Sequence, residues 1–136
     1  MISIAFYRTR EGALTSADTF TALGSLYGQS TTSSIQIPKQ ASQIVGIIAT
    51  VSSDSATNGA TTFAMQLSGD GLSQGQETMT VGSQGVDGTP ASNGATNLPF
   101  SLDVAIPVVG SNQVSVAMAM DTDVGTCSCA VTLVFA

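Results

Sequence analysis

The sequence predicts an all-β protein, a single antiparallel β-sandwich of about eight strands spanning 1–136, with the jelly roll as the leading arrangement. Three observations predict it. Apolar residues alternate with polar or small ones at a period of two, most strictly in the last third of the chain. Turn-forming dipeptides separate the alternating runs. Helical periodicity is weak: the best window, Thr15–Tyr27, offers enough for one or two turns, with Thr15 or Ser16 as the cap, or else for irregular structure.

Taken in order, eight segments read as strands. Met1–Arg8 alternates Ile2, Ile4 and Phe6. Ser33–Pro38 carries Ile35 and Ile37. Gln43–Ser52 is apolar on both faces, as expected of a central strand. Thr61–Ser68 places Phe63, Met65 and Leu67 on one side, and Glu77–Gly82 does the same with Met79 and Val81. Phe100–Ile106 is flanked by Pro99 and Pro107, where a missing N–H is tolerated. Gln113–Asp121 alternates Val114, Val116, Met118 and Met120. Thr126–Phe135 alternates Cys127, Cys129, Val131, Leu133 and Phe135. At strand spacing, Met118 and Met120 read as core. Asn58-Gly59, Asp70-Gly71, Asp87-Gly88 and Asn93-Gly94 are expected to supply positive-φ turns, with 69–75 a short loop and 82–98 the longest polar one, facing outward. An immunoglobulin-like sandwich is the alternative, but the chain has no Trp for its Cys–Trp–Cys core.

At 136 residues the chain buries about 68–70% of its unfolded surface, enough for a core without metal or disulfide staples. Charged residues make up only 9%, against the usual ~25%. Ser, Thr, Gly, Asn and Gln replace them, so the surface is rich in hydroxyls and amides. Low charge fits either burial between packed subunits or an acidic extracellular medium. In the second case the melt at pH 3 would nearly match that at pH 7. Net charge is −6, and Arg8, Arg10 and Lys39 are the whole cationic complement. Three cations do not make the broad basic patch that displaces phosphate counterions, which argues against direct nucleic-acid binding and against an anionic membrane surface. No run approaches the ~20 apolar residues of a membrane-spanning helix. The first eight residues read as a strand and not as a secretory signal, so the chain is expected to stay in its cell or to leave inside something larger, such as a virion.

The chemistry-bearing residues are few. Without histidine there is no Ser–His–Asp or Cys–His arrangement, and the commonest general base and commonest metal ligand are missing. No phosphate-binding Gly-Lys-Ser/Thr motif occurs. Asp121 and Asp123 form the closest carboxylate pair. A plain turn explains them best, a weak calcium site less well, and catalysis least. Proximity to Asp103 or Asp87 would favour a binding module. Cys127 and Cys129 share a strand face and read as small core residues. Tyr7 and Tyr27 serve either as exposed sugar-stacking rings or, the better reading, as anchors of the sandwich rim. No catalytic, cofactor-binding or metal-ligating residue is assigned, and the chain is not expected to be an enzyme.

The last strand lacks the Lys, Pro or charge that blunts sheet edges, so it must be central or covered by a partner. With the nearly uncharged surface, this favours closed association of many copies. The Ile35–Val51 strand pair, the 82–98 loop and the closing strands Phe100–Ile106, Gln113–Asp121 and Thr126–Phe135 together resemble the single jelly-roll capsid proteins of icosahedral viruses. They look most like the small, hydroxyl-rich coat subunits of archaeal polyhedral viruses from hot acidic springs. The resemblance implies a shell subunit in a virion, a homo-oligomer accompanied by other coat or penton proteins. It also implies that other proteins neutralise any genome, because Arg8 and Arg10 are no basic arm. The alternatives are a filament subunit joined by donated strands and a glycan- or calcium-binding module.

Overall fold

The computed structural model describes residues 5–24, 34–53, 59–86, 97–123 and 125–136. These form nine strands: β1 Phe6–Leu14, β2 Thr21–Ala22, β3 Ser34–Gln36, β4 Gln43–Ser53, β5 Gly59–Ser68, β6 Glu77–Val86, β7 Asn97–Pro107, β8 Gln113–Met120 and β9 Cys127–Phe135. No helix occurs among the described residues. One sheet has the order β1-β9-β4-β7. The other has β2-β8-β5-β6, with β3 also pairing β8. All strand pairs are antiparallel. Counting β2 and β3 as two pieces of one interrupted strand leaves eight strands in the order 1-8-3-6 over 2-7-4-5, which is the jelly roll.

The period of two builds the core. On β9 the residues Cys127, Cys129, Val131, Leu133 and Phe135 are buried and those between them are not. On β8 the inward buried set is Val114, Val116, Met118 and Met120. These faces meet Ile47, Ala49 and Val51 of β4 and Phe63, Met65 and Leu67 of β5 in one apolar cluster. Fully burying each large side chain contributes about 1.5–3 kcal/mol. β9 lies between β1 and β4, so the unblunted last strand is central, as its composition requires. β4 is interior too, but its apolar appearance on both faces has a second cause. A bulge between Ile44 and Gly46 shifts the register, so Ile44 and Ile47, three apart, both point inward while Ile48 points out.

Several expectations are corrected. The described part of the Thr15–Tyr27 window, up to Gly24, is irregular around Asp18 (φ 53°) and extended at Thr21–Ala22, so the irregular alternative holds over helical turns, and Thr15 and Ser16 cap nothing. Thr21 and Ala22 pair with Met118 and Ala117, and Leu23 N donates to Val116 O at 2.9 Å. The exposed edge of β8 offers these residues ladder hydrogen bonds, and their apolar groups reach the core without a helix. The first strand, expected over Met1–Arg8, runs instead from Phe6 to Leu14, paired throughout with β9; residues 1–4 lie outside the described residues. The polar stretch expected as a loop over 82–98 is shorter, since β6 continues to Val86 and β7 begins at Asn97. Pairing with β5 carries the Gly-Ser-Gln-Gly segment into the ladder; 87–96, with Asp87-Gly88 and Asn93-Gly94, lie outside the described residues. Pro99 stands within β7 rather than before it, which its position on an edge strand permits.

Gly59 opens β5, and Asn58 lies outside the described residues. In the 69–76 connection, Gly69 and Gly75 have positive φ (124° and 88°), not Gly71. Gly71 is required for space: a Cβ there would strike Ile37 Cδ1 and lie 2.6 Å from Gln113 O. The connections 37–42, 69–76 and 108–112 gather at one end of the sandwich. They are tied there by Gly71 N to Gln113 O (2.8 Å), Val109 N to Gly71 O (2.8 Å), Val108 N to Ser42 O (3.0 Å) and Ser111 N to Ile37 O (3.0 Å).

Candidate assembly surface

Each sheet presents an outer face, and the antiparallel register sets what lies on it. On the first sheet Tyr7, Val134 and Gly46 form one row across β1, β9 and β4. Thr9, Thr132 and Ile48 form the next, with the Thr9 and Thr132 hydroxyls 2.8 Å apart. Glu11, Ala130 and Thr50 form a third. Tyr7 is 60% exposed and Ile48 38%. Tyr7 therefore does not anchor the rim; it stands out from the flat of the sheet. Tyr27 lies outside the described residues.

The second sheet's outer face is smaller in side chain and carries no charge in its rows. Ala22, Ala117, Gln66 and Thr78 align across β2, β8, β5 and β6. Ala119, Ala64 and Thr80 form the neighbouring row, and Ser34, Ser115 and Ser68 another. The Ser34 and Ser115 hydroxyls lie 3.1 Å apart. Hydroxyls that satisfy one another need less water, so covering such a face costs little desolvation. Ala, Ser and Thr also let a second surface approach closely.

The edges are guarded by different devices. β1 carries Arg8 and Arg10 in phase with the buried residues of β9, opposite Leu133 and Val131. Inward-pointing charge on an edge strand disfavours further pairing. β7 carries two prolines. β6 is opposed to β5 across a register shift between Phe63 and Ala64. The fourth edge is split between β2 and β3.

Of the carboxylates singled out in the sequence, Asp123 serves a turn, while Asp121 ties the end of β8 to the start of β5. Asp121 Oδ1 accepts from Thr62 N (2.8 Å) and Thr61 Oγ1 (2.9 Å). These bonds, Thr62 N–H first, hold its carboxyl below the ordinary carboxylate range. Asp123 Oδ1 accepts from Gly125 N at 2.9 Å, closing a turn at a glycine with φ 91°. Asp103 lies on β7 in the other sheet, and Asp87 lies outside the described residues. No group of three His, Cys, Asp or Glu suited to a metal occurs among the described residues. Cys127 and Cys129 are buried on the inner face. Burial, and then the neighbouring Cys127, push the Cys129 thiol up to about 12. No helix among the described residues is long and apolar enough to cross a membrane.

Phe20 is 40% exposed and, with Asp18, Asp121, Thr62, Ala64 and Thr80, lines a shallow cleft of about 290 Å³ at the edge of the second sheet's outer face. Neither this cleft nor the outward turn of Ile48 was legible in the sequence, because both follow from pairing across distant strands.

No protein-family model and no curated protein sequence matches the chain. Among solved structures it is similar to a chain of infectious bursal disease virus, Gt strain, with a TM-score of 0.51 and 12% identity, covering 96% of this chain and 32% of that one. It is similar at lower TM-scores to a chain of the disulfide-linked pili of Bacillus endospore appendages (0.42, 13% identity, covering 96% and 87%). The C-terminal family 22 carbohydrate-binding module of Clostridium thermocellum Xyn10B gives 0.43, with 14% identity over 95% and 85%. The chain spans about a third of the length of the viral chain. At 12% identity this likeness is one of fold, an antiparallel β-sandwich shared with a virus protein.

Proposed function

We propose that this chain is a structural, non-enzymatic subunit that assembles in many copies into a closed shell, as a coat protein of a virion. The observation that carries the reading is the pair of outer sheet faces, built mainly from Ala, Ser, Thr, Val and Ile with Tyr7 exposed and Glu11 the one charge in their named rows, on a jelly roll whose last strand is central. A monomer relies on surface charge to stay apart from its copies. These faces supply little of it. The guarded edges support association through faces over strand donation, and β1, the strand a filament would donate, is already paired with β9 from Phe6 to Leu14.

Light scattering and negative-stain microscopy of the purified protein at pH 7 and pH 3 test the reading. Rings, shells or regular multimers are expected. A clean monomer at both pH values would remove self-assembly as the sole function. The finer attribution, to an archaeal virus of hot acidic springs, predicts a melting temperature at pH 3 close to that at pH 7; collapse below pH 4 would count against it.

A second reading, a glycan-binding module, is favoured by the Phe20 cleft. An exposed ring beside two carboxylates suits a sugar, which stacks its apolar face and donates its hydroxyls. It predicts a monomer stabilised stoichiometrically by an oligosaccharide, with the effect removed by Phe20→Ala.

A further inference from the structure

The chain has three basic residues, and all three line one surface pocket. Arg8 and Arg10 project from the same side of β1. Lys39 arrives from the connection between β3 and β4, about thirty residues along the chain. Ile35, Gln36 and Ile37 form part of the wall, and the pocket holds about 410 Å³. No carboxylate of the described residues pairs with any of the three cations. In a chain with nine acidic residues, the positive charge is gathered in one place and, among the described residues, left without counter-charge.

The pocket is also held in shape. Arg10 Nη2 donates to Ser34 O at 2.8 Å, bridging the two sheets, and Arg10 Nη1 donates to Thr9 O at 2.9 Å. Arg8 Nη1 donates to Tyr7 O at 2.9 Å. These bonds fix the guanidinium groups and leave other N–H groups of each free. One of them, Arg10 Nε, is buried with no partner, a state that costs free energy until an acceptor reaches it. Behind Lys39, Gly110 packs so closely that a Cβ there would strike the Lys39 carbonyl, which sets the position of that backbone.

We propose that this pocket binds a compact oxyanion, a phosphate or a di- or tricarboxylate, with Arg8 and Arg10 as fixed fork donors and Lys39 as a mobile point charge. Guanidinium forks match two oxygens of such an anion. Mutual repulsion of three gathered cations is relieved when it binds. The volume takes a small multivalent anion, while three cations do not track a polymer backbone. This site is independent of the coat reading.

The test is a thermal-shift titration of the purified protein with sodium phosphate and, separately, sodium citrate, with ionic strength held constant by sodium chloride. A saturating rise in Tm is expected for wild type, at least halved in Arg8→Gln and in Lys39→Gln. Both side chains are exposed, so these variants keep the fold. Arg10→Gln should lose the response, and Arg10→Lys should regain only part of it. A linear, non-saturating response, or one unchanged in Lys39→Gln, would overturn the proposal. So would a single-stranded oligonucleotide that displaces phosphate through the same three residues, since the site would then be a nucleic-acid contact.

Discussion

Thr61 Oγ1 donates a 2.9 Å hydrogen bond to Asp121 Oδ1, joining residues sixty positions apart. Thr61 is the buried polar side chain among the described residues, and its hydroxyl also accepts from Thr122 N at 3.1 Å. Thus one hydroxyl ties the start of β5 to the end of β8. Replacing it by Thr61→Val keeps the shape and leaves Thr122 N–H and Asp121 each short of a partner. A loss of about 1–3 kcal/mol is expected in urea unfolding. An unchanged midpoint would show that water takes over both bonds.

The same bonds give Asp121 a pH signature. Its folded carboxyl titrates below its unfolded value, so its contribution is present above the ordinary Asp range and is lost as pH falls through the lowered value. Asp121→Asn should flatten the acid limb of a plot of Tm against pH and leave the region above pH 5 parallel to wild type. The group is exposed, so the difference is small.

Cys129 acts at the other extreme. Its thiol stays protonated in the fold up to about 12, against an ordinary value near 9. Stability from this group is therefore complete below pH 9 and is lost as pH rises from 9 towards 12, by at most about 4 kcal/mol. Cys129→Ala should reduce this alkaline loss. The native protein should react with a thiol reagent only at the rate at which it opens.

Two glycines of one connection should respond differently to alanine. Gly71→Ala places a methyl against Ile37 and Gln113 and should cost about 1–3 kcal/mol through overpacking. Gly75 has open space around it but φ of 88°, so Gly75→Ala should cost about 1 kcal/mol from the backbone alone. Equal losses would mean that the loop yields and the packing does not decide.

Face packing makes a sharper separation. Ile48→Arg and Tyr7→Asp alter exposed positions on the first sheet and should leave Tm within about 2 °C of wild type, since exposed substitutions rarely exceed about 0.5 kcal/mol. Both should abolish multimers in light scattering. By contrast Leu133→Ala, buried on the inner face of the neighbouring strand, should cost about 2–5 kcal/mol. Multimers that survive both surface changes would place the assembly contact elsewhere.

Much of the fold was legible because the signal is local. On β8 and β9 a period of two separates inward Val, Met and Leu from outward Ser and Ala, and strict alternation admits one structure. An unguarded apolar strand had to be central or covered by a partner, and the sheet order makes β9 central. The short segment at Thr21–Ala22 was not legible. Its extended form is imposed by the free edge of β8, ninety-five positions away at Ala22–Ala117, and its own residues are nearly neutral between states. The reach of β6 to Val86 has the same origin, for Gly-Ser-Gln-Gly has no strand preference until β5 lies beside it.

For the sites the division is similar. The sequence alone determined the inventory: no histidine, three cations, and alternation that commits the thiols and methionines to the core. Those are properties of composition and of short-range period, which survive in any compact fold. Only the tertiary structure decided that Arg8, Arg10 and Lys39 share a pocket, that Asp121 is engaged by Thr61, and that Ile48 faces outward. Each depends on strand order, register or one bulge at Ile44–Gly46, and these are set by the joint burial of residues far apart in the chain.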